Sequence, residues 1–262
     1  MDINQFYADP TEKPLDRLVS DGGFCGIMRT IACIGDSLSS GEFESLDGEG
    51  KKGYHDYFDY SWGQYLARMA GCTVYNFSRG GMTGKEYRES FAEKQDFWNP
   101  EKKAQAYIFA LGVNDILNQK REPGTAADIC LEDERRNAET FAGYYGAIIQ
   151  RYQRIAPRAK FFLMTMPRED DTPERDGLKR VHAALLYEIA ALLPDCYVLD
   201  LYKYGPVYDA DFKHRFYLNG HLNACGYRLT AEMVASYIDY IIRHNPEDFR
   251  QVSFIGTPYE FK

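Results

Sequence analysis

Five short stretches, residues 30–34, 73–77, 106–111, 160–164 and 196–201, are apolar nearly throughout instead of alternating apolar with polar. A strand with one wet face must alternate, whereas a strand covered on both faces need not, so these runs read as a parallel sheet between two layers of helix. The intervening segments carry helical period. Phe141, Tyr144, Tyr145, Ile148, Tyr152 and Ile155 mark one stripe, Leu178, Val181, Leu185, Ile189 and Leu192 the next, and Leu229, Met233, Tyr237 and Ile241 the last. Pro157 and Pro194 stand just past two of these stripes, where helices stop. The alternation predicts a three-layer α/β/α sandwich on a five-stranded parallel sheet. Right-handed crossovers point to the flavodoxin-like strand order 2-1-3-4-5.

The chain has 262 residues, enough for one large core, and the sequence is read as a single domain with its core at about 28–244, an N-terminal lead and a C-terminal tail. With 39 acidic against 31 basic residues and only two Lys pairs, Lys51-Lys52 and Lys102-Lys103, it offers no phosphate-tracking surface, so nucleic acid is not an expected partner. No stretch approaches the roughly 18 apolar residues of a membrane span, and the opening Met-Asp-Ile-Asn-Gln-Phe-Tyr lacks the basic and apolar regions of an export signal. Cys25, Cys33, Cys72, Cys130, Cys196 and Cys225 lie far apart without a Cys-x-x-Cys, and four sit in or beside apolar runs, as reduced buried thiols do. A cytoplasmic location is expected.

In such sheets ligands bind beyond the carboxyl ends of the strands, so the residues that follow each strand are the informative ones. The first run leads into Gly35-Asp36-Ser37-Leu38-Ser39-Ser40-Gly41, and taken alone this is a turn with Asp36 or Ser37 as a helix cap. The second leads into Asn76-Phe77-Ser78-Arg79-Gly80-Gly81-Met82-Thr83-Gly84. Neither phosphate-binding pattern fits, since Arg79 and Glu86 stand where the Walker pattern needs Gly and Ser or Thr, and Ser37 where the dinucleotide fingerprint needs Gly. The third leads into Gly112-Val113-Asn114-Asp115, where Asn114 or Asp115 alone would be a cap. Last, Leu218-Asn219-Gly220-His221-Leu222-Asn223-Ala224-Cys225-Gly226-Tyr227 sets an imidazole before the final helix.

In this order and direction the four blocks resemble those of the SGNH, or GDSL, serine hydrolases over about residues 30–240. Ser37 lies in the Gly-Asp-Ser-Leu block, Gly81 in Gly-x-Thr, Asn114 in Gly-x-Asn-Asp and His221 in the block before the closing helix. The resemblance implies that Ser37 and His221 are catalytic, and that the backbone N–H groups of Ser37 and Gly81 with the amide of Asn114 form the oxyanion hole. One feature departs from the family. Where it places Asp three residues before its histidine, this chain has Leu218. Asp211-Phe212-Lys213-His214 does have that spacing, but only His221 is followed by an Asn-x-x-Gly-Tyr lead into a helix, which favours His221.

A serine hydroxyl needs a base to take its proton, and imidazole titrates near working pH. With no Asp at position 218, the tautomer of His221 must be fixed otherwise. A backbone carbonyl near Leu218 is the first expectation, followed by Asn219, Asp200, Asp209 or Asp211. Residues 42–65 hold Phe43, Tyr54, His55, Tyr57, Phe58, Tyr60 and Trp62, read as rings that mostly pack on the body and in part wall the pocket. Amphipathic rings suit sugars, and no long apolar trough is evident, so the expected substrate is a small-molecule or oligosaccharide ester with a short acyl group, acetyl above all. His55, His182 and His244 form no metal-ligating pattern, and no cofactor or metal is implied. The apolar tail 249–262 is expected to dock on the body or on a second subunit, without fixing the oligomeric state. The alternatives to hydrolysis are a binding protein of the same fold with a degenerate triad, and acyl transfer to a sugar hydroxyl.

Overall fold

In the computed structural model, which describes residues 8–262, the five apolar runs are the strands of one sheet: β1 (Thr30–Gly35), β2 (Thr73–Asn76), β3 (Ala106–Ala110), β4 (Lys160–Met164) and β5 (Cys196–Leu199). The opening heptapeptide, read above as lacking an export signal, lies outside the described residues. Neighbouring strands are all parallel, in the order β2-β1-β3-β4-β5, as predicted. β1 is buried almost end to end and sits between β2 and β3, with Cys33 opposite both Asn76 and Ile108. The strand order reverses beside it, and the carboxyl ends of β1 and β3 meet at the Gly35–Ala110 pair, where sheets of this kind leave a crevice.

The helical stripes form α2 (Phe141–Ile155), α3 (Pro173–Leu192) and α4 (Ala224–His244), preceded by the shorter α1 (Trp62–Ala70). α1 packs on α4 and α2 on α3. Each helix starts on a side chain that accepts a backbone N–H: Ser61 from Gln64, Thr140 from Gly143, Thr172 from Arg175, Asn223 from Gly226. Pro173 at the first position of α3 loses no hydrogen bond there. The aromatic content fills the sheet's interior. Tyr107 stacks on Phe161 at 5.3 Å across β3 and β4, and the buried hydroxyls of Tyr87 and Tyr152 bond each other at 2.7 Å.

The strands end slightly differently from expectation. β5 stops at Leu199 because the Asp200 carboxylate accepts the N–H of Lys203 at 3.0 Å and starts a helical turn, Leu201–Tyr204. β2 and β3 each end one residue early, as their loops turn toward the rim. All six cysteines are free; Cys25 and Cys33 are buried, whereas Cys225 is exposed. Among the described residues no helix is long and apolar enough to cross a membrane.

Candidate active site

Beyond β1 the chain turns as tightly as the sequence allows. A Cβ on Gly35 would lie 2.2 Å from Ser39 Oγ, so no larger residue fits. Asp36 then caps the turn Ser37–Ser40, its carboxylate accepting the N–H of Leu38 at 3.2 Å. Gly41 ends the turn with φ 82°, a left-handed conformation that favours glycine. Burial pushes the Asp36 carboxyl up to about 7, so the residue beside Ser37 carries a proton over much of the acid range.

The loop after β2 is locked to the turn after β3. The N–H of Gly84 donates to both oxygens of the fully buried Asp115, at 3.1 and 3.0 Å, which assigns the last residue of the Gly-x-Asn-Asp block to anchoring. Gly81 in that loop has φ 71°. Asn114 reaches back the same way, its amide N–H donating to the carbonyl of Met82 at 3.2 Å, while its Oδ1 accepts from Asn118 Nδ2 at 2.9 Å. That pair of bonds orients the amide, leaving its second N–H free to face the cavity.

Ser37, Gly81, Asn114 and His221 line one cavity of about 510 Å³ over the carboxyl ends of the strands. His214 stands exposed on the short helix Ala210–Phe216 and does not line it. The Asn-x-x-Gly-Tyr lead has a physical basis. Asn223 caps α4, a Cβ on Gly226 would lie 2.3 Å from the Phe216 carbonyl oxygen, and the Tyr227 hydroxyl donates to the carbonyl of Glu42 at 2.6 Å.

The surroundings of His221 differ from expectation. Its Nδ1 lies 3.4 Å from Glu44 Oε2 and its Nε2 3.1 Å from Glu42 Oε1, and among the described residues no hydrogen bond joins the ring to Ser37 Oγ. The backbone carbonyl expected near Leu218 is not its partner. Leu218 is an exposed residue paired with His221 across a two-residue ladder. Asp200 instead accepts from Tyr187 at 3.0 Å, Asp209 caps Phe212 at 2.9 Å, and Asp211 meets Arg215 at 3.1 Å. Asn219 lines the cavity without bonding the ring.

Both glutamates come from residues 42–65, among the rings expected in part to wall the pocket. This segment is a hairpin of antiparallel strands, Glu42–Leu46 and Lys52–Asp56. Strand period puts Glu42 and Glu44 on one face, toward His221, and Phe43 on the other, against Tyr57, Tyr60 and Tyr227. The alternation Glu-Phe-Glu was the available signal. Trp62 is buried as expected, but Tyr54, Tyr57 and Tyr60 are exposed, and Tyr54 sets its ring edge-on to His221 at 5.8 Å. Opposite, the cavity wall is built of ion pairs, with buried Lys179 between Glu169 (2.9 Å) and Asp171 (3.1 Å) and Lys213 on Glu169 (2.9 Å).

Comparison with known proteins agrees with the fold. Among solved structures, the chain is similar to a carbohydrate esterase family 2 enzyme with a carbohydrate binding domain from Corynascus thermopiles (Myceliophthora fergusii), at TM-score 0.55 and 19% identity over 80% of this chain and 65% of that one. It is also similar to a family two carbohydrate esterase from Clostridium thermocellum in complex with cellohexaose (TM-score 0.54, 15% identity, 90% of this chain and 66% of that one). A third is a carbohydrate acetylesterase from Sinorhizobium meliloti (TM-score 0.53, 16% identity, 81% and 99%). The chain thus spans about two thirds of the first two and nearly all of the third. No curated protein sequence matches it. The GDSL-like lipase/acylhydrolase family matches residues 33–229, three quarters of the sequence, and the chain belongs to that family.

Proposed function

We propose that this protein is a serine esterase that removes short acyl groups, acetyl in the first place, from carbohydrate esters. The observation that carries the reading is the convergence of Ser37, Gly81, Asn114 and His221 on one cavity at the rim of the sheet. Ser37 Oγ attacks the ester carbonyl carbon as its proton passes to His221 Nε2, and the C–O bond formed makes a tetrahedral oxyanion. The N–H groups of Ser37 and Gly81 and the amide of Asn114 hold that oxygen. Collapse breaks the bond to the alcohol, which leaves with the proton from His221. Water then repeats the sequence on the acyl-enzyme and frees the acid.

The sugar preference rests on one exposed ring beside His221. Exposed Tyr54 stands against His221, offering a face on which a pyranose can lie while its acetyl group points to Ser37. All three esterases of similar fold are carbohydrate esterases by their own description, which supports the same choice here. A second reading, ligand binding without turnover, draws on the contact of His221 Nε2 with Glu42 in place of Ser37. Catalytic hydrogen bonds in unliganded enzymes are often long and tighten on binding, which favours the esterase. Ser37→Ala is expected to abolish hydrolysis of an aryl acetate while leaving the thermal unfolding transition in place; turnover retained in the purified variant would refute the assignment.

A further inference from the structure

His221 lies between two carboxylates, and they are not equivalent. Glu44 is fixed. Its side chain is only 2% exposed, its Oε2 accepts the N–H of Gly220 at 2.9 Å as well as facing His221 Nδ1, and its Oε1 pairs with Lys52 at 2.6 Å. Lys52 and the Gly220 N–H hold its carboxyl below the usual range, so it is ionised at neutral pH. Glu42 is less constrained. Its Oε1 meets His221 Nε2, and its Oε2 lies against Gly80, where an added Cβ would approach it to 2.2 Å. Burial raises its carboxyl above the usual range.

We infer that Glu44 is the positioning acid of this site, supplied by the hairpin after the nucleophile turn in place of the aspartate missing at position 218. The inference rests on the Ser37–His221 reading. An ionised, immobile carboxylate at Nδ1 accepts the proton there, which leaves the lone pair on Nε2 and steadies the imidazolium formed when Ser37 is deprotonated. The same oxygen accepts from Gly220, so the carboxylate also fixes the loop that carries the ring. Glu42 serves less well in this role. It meets Nε2, the nitrogen that must face the hydroxyl, and it lies between the ring and the glycine loop, in the space an ester has to enter.

Steady-state kinetics on an aryl acetate test this with Glu44→Gln, Glu44→Asp, Glu42→Gln and Lys52→Met. Glu44→Gln keeps the shape and the acceptor for Gly220 but not the charge, and its kcat is expected to fall by about 10²–10⁴, with KM moved less than about threefold. Glu44→Asp, which retains the charge one methylene back, should be intermediate. Lys52→Met removes the hairpin's ion pair but leaves the carboxylate at Nδ1 with its Gly220 bond, so its kcat should fall by at least about tenfold less than that of Glu44→Gln. The inference is overturned if Glu44→Gln keeps kcat within about threefold, if Glu42→Gln carries the loss instead, or if Lys52→Met loses as much as Glu44→Gln, which would make Glu44 a mere hairpin anchor. Should Glu44→Gln not fold, the Glu44→Asp and Lys52→Met pair decides on the same terms. Ser37→Ala separates the two levels: turnover in that variant sinks the esterase reading, whereas a dead Ser37→Ala beside an undiminished Glu44→Gln sinks only the role of Glu44.

Discussion

Removing the Asn114 amide should slow the chemistry without weakening substrate binding. In the structure this amide has two N–H bonds to give. One goes to the Met82 carbonyl at 3.2 Å, and Asn118 holds the oxygen side at 2.9 Å, so a single donor is left for the developing oxyanion. Deleting one preorganised donor of this kind costs about 10²–10³ in kcat, or about 3–4 kcal/mol of barrier. The ground-state carbonyl gains far less from that donor than the oxyanion does, so KM should move by less than about threefold. Stability should suffer less than activity, since one partly buried hydrogen bond to Met82 contributes about 1 kcal/mol. Asn114→Ala assayed on an aryl acetate, with thermal unfolding in parallel, measures both. A kcat within about fivefold of the parent in a folded variant would refute the oxyanion assignment. Asn118→Ala, which frees the amide to rotate but leaves it present, should lose only about tenfold.

Two further outcomes follow from burial. The Asp36 carboxyl is raised to about 7 in the fold from 3.8, so its protonated form favours the folded state. That stability is fully present below about pH 4 and is lost as pH rises through about 7, amounting to a few kcal/mol, about 1.4 per pKa unit. Asp36→Asn, which can still cap Leu38, should flatten this slope in denaturant titrations from pH 4 to 8; an unchanged slope would contradict the burial account. The Tyr227 hydroxyl ties α4 to the hairpin through the Glu42 carbonyl at 2.6 Å, so Tyr227→Phe should destabilise the protein by about 1–2 kcal/mol and lower kcat as the carboxylates loosen. Chemical unfolding and the aryl acetate assay check the two effects separately.

The fold was legible because its signals are local. Unalternating strands, a 3.6-residue stripe and a proline after a helix depend on near neighbours, and the predicted strand order appeared unchanged. The blocks around Ser37, Gly81, Asn114 and His221 stood out only together, through their resemblance to the family, since each alone reads as a turn or a cap; the tight packing at Gly35 and Gly226 shows why two of those turns need glycine. What orients His221 was not legible. Glu44 reaches the ring from 177 positions away, and only the pairing of two short strands, of which Glu-Phe-Glu gives a three-residue hint, turns it and Glu42 to one face. Leu218, the position where the aspartate was sought, points to solvent.

The central claim is that the hydroxyl of Ser37 is the nucleophile. Reaction with a fluorophosphonate, followed by intact mass and peptide mapping, tests it without reference to any natural substrate. One adduct on the peptide containing Ser37, absent from Ser37→Ala and slowed in Asn114→Ala, is the expected result. A chain that takes no label, or takes it on Ser39, Ser40 or another hydroxyl, would contradict the account.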